Sequence, residues 1–338
     1  MKRESRSVYF FMLMMCVPAL AQAHHSGAIY DMKQTVTVEG TVTRYDWANP
    51  HVYVHIEQVT DAGEVVAWAV EFNPPAQMRR IGWTEATLQP GDAVTVTGRP
   101  TRRTHNRGIF PASIEAAGQV LYQPEMMQQL SRANALPEVG ASSLEGTWET
   151  LTSWKLIGLF YSGAEVTEAG SEARASYDET EMLPAWDCIP YTAPMLMFDA
   201  DFKQIIVEED VVTIRGGFAP ADRTVYMNVD THDGAVPSLQ GHSIGHWEGA
   251  TLVIDTASFA PSRTGNGYRG TASGLQKHLI ERLTLVDGGK KLSYSFELTD
   301  PEFLAQTATG TSEWVYRPDL EFVREPCELD NARGGRNE

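Results

Sequence analysis

The chain has 338 residues, 42% of them hydrophobic and 21% charged, enough for two ordinary domains and too apolar for disorder along its whole length. Its net charge of −17 excludes a nucleic-acid or anionic-membrane binder, because phosphates need a basic footprint. Three cysteines exclude a disulfide-dense scaffold and a multi-cysteine zinc or iron–sulfur site.

Residues 1–23 read as a secretory signal. Lys2, Arg3 and Arg6 precede the apolar run Val8 to Leu20, and Ala21-Gln22-Ala23 is a small-x-small cleavage site. The run is shorter than the roughly 20 residues of a membrane span, and no other stretch is as apolar. The expectation is a periplasmic or secreted protein without a membrane span, cleaved after Ala23. Its new first residue, His24, would offer an α-amine and a ring nitrogen to one metal. Imidazole suits copper, which tops the divalent affinity order, so His24, His25 and His51 are the metal candidates and copper the candidate ion. The competing reading of His24 and His25 is a polar chain start. Cys188 and Cys327 are the two cysteines left after cleavage. An oxidising compartment invites one bridge between them; two free thiols are the alternative.

The next segment, 24–121, reads as a small OB-like β-barrel. Thr35 to Val42 and His51 to Ile56 alternate apolar and polar residues. Asp61-Ala62-Gly63 and Pro90-Gly91-Asp92 are turns before Val65–Phe72 and Ala93–Gly98. One short helix with Met78, Ile81 and Trp83 fits between. Residues 122–143 form a polar linker. Residues 24–118 carry a net charge of −2 and residues 119–338 one of −17, so the acidity belongs to the second half.

Residues 144–338 read as a lipocalin-like antiparallel β-barrel, and the chain as all-β in class. Gly146-Thr147-Trp148 opens it with an indole placed to plug a closed end. Hairpin patterns follow at 204–214, 241–256 and 279–298. The proline-containing stretch 160–200 reads as a long loop over the barrel mouth. Barrels of this size enclose cavities for small molecules.

The candidate catalytic residues are His242, His246, His232, Asp230 and Glu281. On a strand His242 and His246 lie about 13 Å apart, from a rise of ~3.3 Å per residue, too far for one metal. With Ile244 they share a face, and if it lines the barrel they are acid–base groups near neutral pH; the alternative is two hairpin histidines in ordinary hydrogen bonds. Asp230-Thr231-His232 offers a base and its orienter, or a capped turn. Glu281 lies in an apolar strand and, turned inward, needs a cation; Arg223 is the candidate, and Arg282 must point the other way.

His24-His25-Ser26, Val38-Glu39-Gly40-Thr41-Val42, Trp47-Ala48-Asn49-Pro50-His51 and Leu88-Gln89-Pro90-Gly91-Asp92 together resemble a family of exported bacterial domains of unknown function. The resemblance covers about 24–121. Gly241 to Gly249 and Thr251 to Thr256 resemble an uncharacterised C-terminal module that carries an arginine where this chain has His246. These resemblances imply export and a two-part layout, and no activity. Three functions follow: a binding protein for a small apolar molecule with an N-terminal copper site; a hydrolase, lyase or isomerase using a His–carboxylate pair in the same barrel; or an envelope adaptor with a filled barrel. Fold does not choose among them.

Overall fold

The computed structural model describes residues 30–102, 107–127, 136–151, 159–198, 202–218 and 221–333. The proposed leader, His24 and His25 lie outside the described residues. The chain is all-β in class, built on two closed barrels.

The first barrel uses β1 (Val36–Asp46), β2 (Tyr53–Val59), β3 (Val65–Glu71), β4 (Ala93–Pro100) and β5 (Gly108–Ala116), with β6 (Gln119–Tyr122) added beside β5. Antiparallel pairs run β3-β2-β1-β4-β5, and a parallel β3–β5 pairing closes the ring. Helix α1 (Pro75–Arg80) lies between β3 and β4. This ring order with that helix is the OB arrangement. The long β1 bulges between Val42 and Arg44, where it bends from one half of the barrel to the other. Gly40 permits that curvature, because a Cβ there would meet the Glu57 carbonyl oxygen at 2.6 Å. Val38, Val54, Ile56, Val96 and Ile114 fill the interior from alternating positions, and Met78 of α1 seals it with Trp83.

The second barrel comprises β7 (Gly146–Leu151), β8 (Lys203–Val207), β9 (Val211–Gly216), β10 (Arg223–Tyr226), β11 (His242–Glu248), β12 (Thr251–Ala257), β15 (His278–Val286), β16 (Lys291–Thr299) and β17 (Ala308–Tyr316). Strands neighbouring in this order pair, and β17 closes on β7. Trp148 stands at one end as its position predicts, fully buried with its indole N–H donated to the Leu144 carbonyl at 2.8 Å. One joint departs from the antiparallel meander: β10 and β11 are parallel. Residues 227–241 carry the chain back along the barrel before β11 begins, and a parallel pair needs a crossing of that length.

The stretch 160–200 does more than cover the mouth. Its 3-10 turn Met195–Phe198 enters the barrel, where Met195, Met197 and Phe198 join the core beside Ile205, Leu279 and Phe296. Above it stand the small hairpin β13 (Ser262–Gly267) and β14 (Thr271–Ser273), and helix α2 (Glu168–Ala175), whose Arg174 reaches Thr271 and the Ala164 carbonyl.

Cys188 and Cys327 form a disulfide. It ties the loop leading into the barrel to residues 317–333, which lie against the first barrel. There Asn49 pairs its backbone with Cys327 and donates from Nδ2 to the carbonyls of Glu325 (3.2 Å) and Gly217 (3.3 Å). Trp47 donates its indole N–H to Glu325 at 3.2 Å, and Asn331 donates to the His51 carbonyl. Arg79 and Arg80, at the C-terminal turn of α1 where cations suit the helix dipole, pair with Glu325 and Glu149. The Trp47–His51 motif thus holds the two barrels together. No helix among the described residues is long and apolar enough to cross a membrane.

Candidate functional site

Strand alternation decides which side chains enter the second barrel. In β10 Arg223 and Val225 point inward; in β15 Leu279, Glu281 and Leu283 do. Arg223 therefore meets Glu281 inside a wall of apolar residues, in two bonds of 3.0 and 2.6 Å with both side chains wholly buried. This is the pairing that an inward Glu281 requires. Tyr294 donates its hydroxyl to Glu281 at 2.6 Å, and Arg223 also donates to Ser243 (3.3 Å) and Thr256 (3.2 Å). Burial alone would lower the Arg223 pKa; the Glu281 carboxylate outweighs it and holds the guanidinium charged. Burial, reinforced by Glu281, pushes the Tyr294 hydroxyl well above its ordinary value.

Aromatic rings surround this pair. Tyr294 stacks on Trp314 at 5.8 Å, and Phe198 from the inserted turn meets Tyr294 at 5.4 Å and Phe296 at 5.6 Å. Among the described residues, three buried polar atoms here have no hydrogen-bond partner: Trp314 Nε1, Thr150 Oγ1 and Arg223 Nε. Trp314 and Thr150 are direct cross-strand partners.

Lys277, at the inserted turn, is a further buried cation. Its Nζ donates to Gly265 O (2.5 Å), Ala193 O (2.6 Å) and Thr192 Oγ1 (2.8 Å), and lies 4.3 Å from the centre of the Phe259 ring. Burial pushes its pKa down to about 7, against the opposing pull of Asp300.

The histidines stand elsewhere. In β11 Ser243 and Gly245 are buried, so His242, Ile244 and His246 occupy the outer face, and the conditional reading of His242 and His246 as barrel-lining acid–base groups is corrected. His246 pairs with Glu248 at 3.3 Å, beside Arg282. His242 meets His232, Nδ1 to Nδ1, at 2.9 Å. The carboxylate beside His232 is Asp255 of β12, at 3.1 Å from Nε2; Asp230 is exposed in the crossing. His278 reaches the same Asp255 oxygen at 2.7 Å, and the Tyr226 ring stacks on His242 at 5.3 Å. Burial, then the neighbouring His232, lowers the His242 pKa. Sequence reasoning missed His278, Asp255's part and Lys277. The signal for His278 was its register: two positions before Ile280, the partner of Asp255, it shares the face of that carboxylate.

In the first barrel, His51 and His55 go to separate partners. His55 Nε2 bonds Asp46 at 2.9 Å. His51 Nδ1 lies 2.9 Å from the Phe72 carbonyl and 3.5 Å from Glu71, whose other oxygen accepts the Tyr30 hydroxyl at 2.6 Å. Arg107 stands over Trp68, and Arg99 donates to the Gln34 carbonyl. Among the described residues no group of three or more His, Cys, Asp or Glu is arranged to hold a metal ion.

A model of a family described as "Family of unknown function (DUF6152)" matches residues 12–110, which takes in the first barrel as far as the start of β5. No curated protein matches the chain.

Proposed function

We propose that this is an exported binding protein whose second barrel takes a small, mostly apolar molecule carrying one hydrogen-bond acceptor. The observation that carries this reading is the unpartnered indole N–H of Trp314, fully buried beside the equally unpartnered Thr150 hydroxyl. An unmet buried donor costs about 1–3 kcal/mol, and such groups normally find a partner. An oxygen of a bound molecule would meet both, while Tyr294, Phe296 and Leu292 contact its apolar body. The inserted turn Met195–Phe198 would yield, since Phe198 packs on the Tyr294 ring. An ordered water at Trp314 is the rival occupant.

Native mass spectrometry of protein purified from an exporting host tests this. The expected result is a co-purified organic mass, lost on denaturation and depleted at least tenfold in Trp314→Phe, which keeps a ring and removes the donor. A wild-type protein that carries nothing and binds no apolar fluorescent probe overturns the reading.

A second reading, copper at the chain start, is favoured by the position of Tyr30. Its hydroxyl bonds Glu71 and its backbone pairs with Thr101, beside His51. Six residues extend about 20 Å at most, which brings a chain beginning at His24 within reach of His51. A His51 Nδ1–H donated to the Phe72 carbonyl is the contact that orients metal-ligating imidazoles through their other nitrogen. Uptake of one Cu(II) by a chain starting at His24, lost in His51→Ala, is expected; a different start, or unchanged uptake in the variant, overturns it.

A further inference from the structure

We propose that His232 and His242 form a two-histidine site for a divalent transition-metal ion on the outer wall of the second barrel, with Asp255 as the carboxylate that orients His232. The site is separate from the barrel interior, and rests on neither reading above.

The argument begins with the Nδ1 atoms, which face each other at 2.9 Å. Metal–imidazole bonds are about 2.0–2.1 Å. Two such bonds at a right angle place their nitrogens about 2.9 Å apart, so the pair has the span of two neighbouring positions on a tetragonal or octahedral ion. Nickel(II) and copper(II) prefer those geometries with nitrogen donors.

The tautomers agree. His232 Nε2 lies 3.1 Å from the acceptor Asp255 Oδ1, so that nitrogen carries hydrogen and the neutral ring presents its Nδ1 lone pair to His242. This is the carboxylate–histidine–metal arrangement in which the outer carboxylate fixes ring orientation and raises ligand basicity. His242 then holds the shared hydrogen on Nδ1. On metal binding it changes tautomer, the hydrogen moving through solvent to Nε2, with no net proton released. Its ring is held by stacking on Tyr226 at 5.3 Å.

The surroundings suit an open coordination sphere. The side chains of His232 and Asp255 are 21% and 35% exposed, so water can fill the remaining positions. His278 Nε2 engages Asp255 at 2.7 Å. The two ligands come from different places, His232 from the crossing 227–241 and His242 from the first position of β11. An ion between them would fasten the crossing to the barrel wall.

The test is calorimetric titration of the full chain with nickel(II) chloride at pH 7.5, with the visible nickel absorption followed in parallel. One saturable site is expected in the wild type. It should disappear in His232→Ala and His242→Ala, weaken 10–100-fold in Asp255→Asn, and persist in His278→Ala. His242→Gln, which keeps a polar side chain beside His232, is the second variant should the alanine forms unfold; it too should lose the site. No saturable uptake in the wild type, or uptake that survives both histidine replacements, overturns the proposal. The first outcome leaves a hydrogen bond between two histidines, and the second places the ion elsewhere, such as at the chain start.

Discussion

Lys277 and the Arg223–Glu281 pair are both buried, yet only the pair could be read from sequence. Glu281 breaks an apolar strand at an inward position, and a lone inward carboxylate demands a cation. Lys277 lies just before β15, in a polar stretch without periodicity, and its burial comes from Thr192 and Ala193 on the loop that enters the barrel and from Gly265 of β13. Its folded-state pKa of about 7 lies below the ordinary 10.5. Between those values the unfolded chain keeps a proton that the folded chain has released. Stability from this group therefore rises with pH across that window, by up to about 1.4 kcal/mol per unit. Below about pH 7 both states are charged and the contribution is flat. Urea unfolding at pH 7, 8 and 9 should show the wild type gaining on Lys277→Met as pH rises. A difference independent of pH would mean that Lys277 titrates normally in the fold.

At the scale of elements, what alternates was legible. The strands of the first barrel, the hairpins β8–β9, β11–β12 and β15–β16, and the Trp148 plug all follow from period-two patterns and turn residues. Two things were not. The inward or outward sense of β11 depends on its partners: Ser243 goes inside because it bonds Thr256 and Arg223 there, which sends His242 out. The Met195–Phe198 insertion has an apolar sequence, but nothing local distinguishes a segment lying over a barrel from one inside it. The hairpin β13–β14, rich in glycine and small polar residues, carries no alternation at all. The histidine cluster was half visible for the same reason. His232 and His242 are close in sequence, whereas Asp255 and His278 reach them only through the β11–β12 and β12–β15 registers.

For the whole molecule, the disulfide has the largest expected effect on stability. Cys188 and Cys327 are 139 residues apart, and closing a loop of that size removes enough unfolded-chain entropy for roughly 3–5 kcal/mol in the chain-entropy view. Replacing both cysteines by alanine should lower the urea midpoint accordingly without changing the far-ultraviolet circular dichroism. A shift of under 1 kcal/mol would show that the loops are held by their other contacts, of which Arg333–Asp187 and Arg324–Gly216 are two.

The contact between Asn49 and residues 325–328 joins positions nearly 280 apart, and it orders events in time. During synthesis the Trp47–His51 motif is made early and must wait uncovered until almost the entire remaining chain has followed. Cys188 waits likewise, as a free thiol, for Cys327. An interrupted chain would thus display an uncovered Trp47 and an unpaired Cys188 together, whereas the finished chain pairs both.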